Sequence, residues 1–308
     1  MNNRIFSFPE SGGPMKTRET LKKIGFILIA FLPFIAALVI QAAASLIGMF
    51  FLFLAVFLQS PLSFNSELFY NALIGTQFSS AVMVIYSMIT VLLLGTWYKV
   101  ASTPHRVPRR RISQVVRPGM LAALMILAAS LQYLSSFLIN FTAYLKPDWL
   151  QAYTDLLETA GMNDITLLLV LYSVIIGPVC EELIFRGVML HYAQKALPFW
   201  AANLFQALLF GVYHMNIMQG IYAFLVGIFC GLIFHYGKSI YLSIGFHMLF
   251  NFWGTFLGFL IVGSSSSFVN MMIFAVTILL TAGGLLLYKR SAAARNKSSY
   301  TADVKLIL

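Results

Sequence analysis

The stretch "IIGPVCEELIFRGVMLHY" (175–192) decides the fold. Glu181, Glu182 and Arg186 stand in a run that is otherwise apolar enough to lie in lipid. An ionisable group at the centre of a bilayer costs about 2.5–3.5 kcal/mol on insertion scales. Such groups face the protein interior, pair with one another or line a functional site. The stretch therefore predicts a helix enclosed by other helices. Glu182 and Arg186 are spaced i,i+4, share a helix face and stand in the favourable order. Leaving either one unpaired is costly, so the pair reads as structural support. Glu181 is turned about 100° from Glu182 and has no partner in its own helix. Pro178 removes one backbone hydrogen bond, which predicts a kink and a local opening just before the two glutamates.

The rest of the chain agrees with a membrane setting. Its 308 residues are 60% hydrophobic and only 10% charged, with a mean hydropathy of +0.85. Soluble domains carry roughly 25% charged residues. The net charge is +10, but the basic residues punctuate apolar segments. They therefore signal topology through the positive-inside rule rather than a nucleic-acid partner. Cys180 and Cys230 form neither a disulfide framework nor a zinc-ribbon spacing, and both read as small buried hydrophobes. Residues 1–23 are polar and basic, and the apolar run after them is too long for a cleavable signal, so a retained span is expected.

With about 20 apolar residues needed per span, eight candidates emerge: 24–58, 68–98, 119–145, 165–190, 198–215, 217–237, 240–262 and 267–288. The first is long, with Gln41 near its middle, and reads as one tilted helix. With the N-terminus inside, Lys22, Lys23, Lys99, Arg106, Arg109, Arg110, Arg111, Arg117, Lys195, Lys238 and Lys289 all fall on the cytoplasmic side. The opposite loops hold a single basic residue, Lys146. A nine-span arrangement would put Arg109–Arg111 outside and is rejected. The expected fold class is an all-α, polytopic membrane protein of about eight transmembrane helices with both termini cytoplasmic. Its expected parts are a cytoplasmic tail (1–23), three helices plus an outer amphipathic segment (24–164), a core of helices four to seven (165–262), a last helix (263–290) and a disordered cytoplasmic tail (291–308).

The polar residues left inside spans are the most informative. Only Glu181 and Glu182 of the ten acids lie within a span. His214, His247 and Asn251 also lie in or at the end of apolar helices, so with Arg186 they are expected to converge. His247 and Asn251 are spaced i,i+4, as are Phe210 and His214. A carboxylate with a histidine can hold and deprotonate water. A second histidine and an asparagine can donate to an oxyanion. The same groups are also competent ligands for a divalent metal, and two His with one Glu plus water is a known zinc pattern.

At these residues the sequence resembles the CPBP family of intramembrane proteases, the group of the type II CAAX prenyl proteases, the Abi proteins and bacteriocin-processing enzymes. "EELIFR" (181–186) matches EExxxR, "FGVYH" (210–214) matches FxxxH and "HMLFN" (247–251) matches HxxxN, in order and on successive apolar segments. The resemblance covers about 165–260 and implies a helical bundle around an intramembrane cavity. It assigns Glu181 and His214 to water activation, and His247 and Asn251 to the oxyanion. Glu182, Arg186 and Phe210 are then structural support. Any metal, such as Zn²⁺, would fall to Glu181, His214 and His247, and a metal-free glutamate mechanism stands beside that one. No HExxH, GxSxG or GxGD signature is found.

The resemblance implies a plasma-membrane endopeptidase acting on a membrane protein or peptide precursor, with or without a prenyl group, with lipid as its other partner. The alternatives are a membrane scaffold or bacteriocin self-immunity factor that only binds, and a proton-coupled transporter. The transporter is disfavoured by the lack of repeat symmetry. One point fits poorly: hydropathy puts His214 about 16 residues into an 18-residue span, toward the outer face and away from Glu181. Either the span boundaries are displaced, which is the expected resolution, or the helix is short and deeply sunk.

Overall fold

The computed structural model describes residues 14–102, 116–159, 166–260 and 266–305. The Arg109–Arg111 cluster lies outside them, as do Arg106 and His105. The described residues are all α. The helices are α1 (Pro14–Gln59), α2 (Ser66–Leu73), α3 (Thr76–Ser102), α4 (Pro118–Leu145), α5 (Pro147–Thr159), α6 (Leu167–Ala193), α7 (Phe199–Tyr213), α8 (Ile217–Gly237), α9 (Ile240–Phe256) and α10 (Ser267–Lys305). Within them, α1, α3, α4, α6, α8 and α10 are long and apolar enough to cross a membrane, and α7 is apolar but shorter. The chain is an integral, multi-pass membrane protein whose helices form a bundle.

The bundle packs as two apolar clusters. The first joins α1, α3, α6 and α7 around Tyr86, Leu94, Phe185 and Phe210. Ala30, Ala37 and Ala44, all fully buried, give α1 a small-residue seam at seven-residue spacing. Such seams let membrane helices approach closely. The second cluster joins α4, α8, α9 and α10 around Leu127, Ile233, Phe246 and Tyr288. The short helix α5 folds onto α8, where the Tyr153 and Tyr222 hydroxyls lie 3.3 Å apart. Burial there pushes the Tyr153 phenol up from its ordinary value.

Three expectations change. The segment 68–98 is not one helix: α2 ends at Leu73 and α3 begins at Thr76, around Gly75, a residue type that supports helix poorly. The chain is already helical from Pro14, inside the expected tail 1–23. The tail expected to be disordered (291–308) is helical to Lys305. Polar anchors hold that extension: the nearly buried Arg295 donates to the Gly237 carbonyl, and Tyr288 Oη donates to the Ile233 carbonyl at 2.9 Å. Gly237 ends α8, where unpaired acceptors and the helix dipole favour a cation, and Ile233 stands one turn before it.

The poor fit of His214 resolves by the second of the two readings rather than the preferred one. The boundaries of α7 move only slightly, and the helix is short instead. Its 15 residues rise about 22 Å, against a hydrocarbon core of about 30 Å. The chain turns at His214–Asn216, with Met215 at φ 53° and the Asn216 side chain capping Gln219 N–H at 3.0 Å. The α7–α8 hairpin closes so tightly that a Cβ on Gly211 would meet the Gly220 carbonyl oxygen at 2.6 Å.

Candidate active site

Residues 175–192 form the middle and C-terminal part of α6. Two segments of α6, Leu171–Ile176 and Leu183–Met189, are π-helical. The first stands directly before Pro178. A proline cannot donate to the preceding turn and its ring crowds a carbonyl four residues back. The helix accommodates this by widening: Gly177 N–H reaches Tyr172 O, five residues back. The expected kink is thus a change of helical register, of a kind frequent at functional sites.

Glu182 is the hub of the buried charges. Its Oε1 accepts from Arg186 Nη1 at 2.8 Å and from His247 Nδ1 at 3.0 Å, and its Oε2 accepts from Ser243 Oγ at 2.7 Å. Glu182 and Arg186 are both fully buried. Arg186 Nη2 donates to the Gly227 carbonyl of α8 at 2.9 Å, and the guanidinium lies 4.7 Å from the Phe210 ring centroid. The same carbonyl accepts from Gln206 Nε2 of α7 at 3.0 Å. One carboxylate and one guanidinium therefore tie α6, α7, α8 and α9 together. This network replaces the hydration that two ions lose in lipid.

Glu181 points elsewhere. Its side chain keeps 15% of its exposure, and its Oε2 lies 3.5 Å from His247 Nε2. His247 thus faces both glutamates, one with each ring nitrogen. A carboxylate only accepts, so Nδ1 carries a hydrogen toward Glu182 and Nε2 is the atom presented to Glu181. His214 is oriented in the same way: its Nδ1 donates to the Phe210 carbonyl at 2.8 Å, which leaves Nε2 free. Asn251 Nδ2 donates to the Ser173 carbonyl on α6 at 2.8 Å. Phe210 stands edge-on to both imidazoles, with ring centroids 4.9 Å from His214 and 5.7 Å from His247. That shared ring brings His214, at the end of short α7, and His247 of α9 to two edges of one side chain.

Three participants escaped sequence reasoning. Ser243 lies four residues before His247, so it shares a face with His247 and Asn251 and was legible by spacing. Gln206 lies four residues before Phe210 and was legible in the same way. Cys230 gave no such signal, being a lone thiol in an apolar helix. Glu182, Cys230 and His247 bring one potential ligand atom each to within 4.8 Å of one another, all buried. This buried triad is capable of coordinating a divalent metal. It shares only His247 with the set expected from the resemblance. The donor types suit zinc, while both Glu182 oxygens already serve Arg186, His247 and Ser243.

Comparison with known families identifies this region. The family described as Type II CAAX prenyl endopeptidase Rce1-like matches residues 163–253, the segment that carries every residue of the site. Neither curated proteins nor solved structures yield a match to the chain.

Proposed function

Since residues 163–253 form a CAAX-protease family domain, we propose that the chain is an intramembrane endopeptidase and that Glu181 is its general base. The observation that carries this is the split between neighbours: Glu182 is saturated by Arg186, Ser243 and His247, whereas Glu181 keeps an open carboxylate facing an imidazole nitrogen. Glu181 and the free Nε2 of His214 hold a water. Glu181 takes a proton as the water oxygen bonds to the scissile carbonyl carbon, and the carbonyl π pair moves onto oxygen. The tetrahedral oxyanion is met by Asn251, which has a second amide hydrogen, and by His247 Nε2. Because Nδ1–H is held by Glu182, His247 donates from Nε2 only as the imidazolium. Collapse re-forms the carbonyl and breaks the C–N bond, and the departing amine takes the proton from Glu181.

A divalent metal supplies a second version of this chemistry. Held by Glu182, Cys230 and His247, it would polarise the carbonyl as a Lewis acid. The engagement of both Glu182 oxygens favours the metal-free version.

Eight membrane crossings, with α7 and α9 sunk as short helices, complete the proposal. Lys22, Lys23, Lys99, Lys195, Lys238 and Lys289 then share the cytoplasmic side, and both termini lie there. The substrate is a membrane protein or peptide precursor, prenylated or not, cut near the cytoplasmic face of the plasma membrane. The test compares the new protein termini formed in membranes carrying the wild type with those formed in membranes carrying Glu181→Ala. The proposal expects a small set of wild-type-only termini. Identical termini in both membranes would favour the scaffold or immunity alternative.

A further inference from the structure

An amide midway along α4 reaches the helix that carries His247 and Asn251. Gln132 is buried, and its Nε2 donates to the Phe250 carbonyl of α9 at 2.6 Å. A carbonyl only accepts, so the nitrogen end of the amide is the end that faces it. That carbonyl belongs to the peptide unit joining Phe250 to Asn251. Its ordinary helical donor is the N–H four residues on, at Gly254. Gln132 supplies a donor for the second lone pair. Room for the amide comes from the missing side chain at Gly254: a Cβ there would stand 2.9 Å from Gln132 Nε2. The neighbouring Tyr133 donates to the Leu260 carbonyl, just past the end of α9, at 2.9 Å. α4 therefore holds α9 at two levels, and both donors lie outside residues 163–253, the family-matched segment.

Two ties meet at one peptide unit. α4 takes the Phe250 carbonyl, and the side chain of the next residue, Asn251, donates to the Ser173 carbonyl of α6 at 2.8 Å. A helix held by a single hydrogen bond can still turn about it. Bonds from adjacent residues to two different helices fix both its rotation and its height. Fixed with them is the direction of the second Asn251 amide hydrogen, the one assigned to the oxyanion. Interhelical hydrogen bonds of this kind contribute only modestly to the stability of membrane proteins. The consequence of this one is therefore geometric.

We propose that Gln132 is a positioning residue for the cleavage reaction. It acts through Asn251, holding the Phe250–Asn251 peptide so that the free amide hydrogen meets the developing oxyanion. This rests on the endopeptidase reading. No bond or proton changes place at Gln132 itself.

The test is a double-mutant cycle on the full-length protein in liposomes, with a quenched peptide spanning the cleavage site found by comparing wild-type and Glu181→Ala membranes. Gln132→Met keeps the length of the side chain and removes the donor. It should lower kcat by about 10-fold, short of the roughly 10²-fold expected for Asn251→Ala, which loses an oxyanion donor outright. KM should stay within about threefold, and Tm within about 3 °C of wild type. In the Asn251→Ala background the same substitution should change kcat by less than about threefold, because the group it positions is gone. Gln132→Glu separates the donor from the shape, since a protonated carboxyl donates and an ionised one cannot. At the acidic end of the activity range it should cleave within about threefold of wild type at the same pH, as a retained donor requires. A Gln132→Met protein with wild-type kcat overturns the proposal. So does an undiminished loss in the Asn251→Ala background, which would mean that the amide acts on the bundle at large. So does a Gln132→Glu protein as slow as Gln132→Met at every pH. An Asn251→Ala protein that itself cleaves at the wild-type rate overturns the proposal while leaving Glu181 as the base. A wild type that generates no cleavage site overturns the endopeptidase reading, and this one with it.

Discussion

Arg186→Met removes the cation from the buried hub and leaves a side chain of similar length. Glu182 would keep Ser243 and His247 but lose its only guanidinium partner, at full burial. Breaking a buried ion pair by deleting one partner costs about 3–5 kcal/mol. The guanidinium also sits 4.7 Å from the Phe210 centroid, a cation–π contact of about 2 kcal/mol when desolvated. Methionine recovers part of that through sulfur–aromatic contact. A net loss near 4 kcal/mol, at about 2 °C per kcal/mol for a chain of this size, lowers Tm by about 8 °C. The assay is built into the molecule: Cys180 and Cys230 are both buried, so a thiol-reactive dye in detergent reports unfolding. Glu182→Gln combined with Arg186→Met removes both charges yet leaves Gln an oxygen for His247. It should recover at least half of the lost Tm, because a neutral pair is far cheaper to bury. A single mutant that melts within about 2 °C of wild type would refute the reasoning, since it would mean that Glu182 carries no charge needing neutralisation.

Other predictions follow from the same geometry. If the site works without metal, Cys230→Ser and prolonged chelation should each leave cleavage within about threefold of wild type; a chelator-sensitive rate restored by zinc would transfer the chemistry to the Glu182–Cys230–His247 triad. Ser243→Ala strips one of the three hydrogen bonds on Glu182 and should cost about 1.5–3 kcal/mol of stability, the value of a hydrogen bond to a charged group, measured by the same thiol-dye melt. Gly211→Ala drives a Cβ to 2.6 Å from a backbone oxygen of α8. Overpacking of this kind costs about 1–3 kcal/mol, and here it should also lower cleavage by spreading the hairpin that carries His214. Unchanged cleavage and melting would show that the hairpin can open freely.

The separate legibility of fold and site has a physical basis. The membrane class was visible because hydropathy is additive along the chain, and the intramembrane charges stood out because lipid makes them expensive. Glu182–Arg186 was readable as a pair because both lie on one helix at i,i+4 spacing. The pairing of His247 with both glutamates was not, because it depends on how α9 is rotated against α6. Cys230 was unreadable for the same reason. Pro178 signalled a disturbance correctly, yet whether it would kink or widen the helix depended on the packing around Gly177. The shortness of α7 was nearly legible: hydropathy closed that span at 215, and the backbone turns at His214–Asn216, but the depth at which so short a helix sits depends on its packing. The helical extension of α10 was missed because its residues are polar, and the anchors that order it, Arg295 and Tyr288, bind carbonyls on a distant helix.

The central claim is that Glu181, and not its saturated neighbour, is the base. It is tested most directly by reconstituting wild-type and Glu181→Gln proteins side by side in liposomes and measuring cleavage of the wild-type substrate peptide. Because Arg186 pairs with Glu182 and not with Glu181, the account predicts a Glu181→Gln protein that melts with the wild type and cleaves at least about 10³-fold more slowly, consistent with loss of general-base assistance of about 10²–10⁴-fold. A Glu181→Gln protein that melts normally and cleaves at the wild-type rate would contradict it.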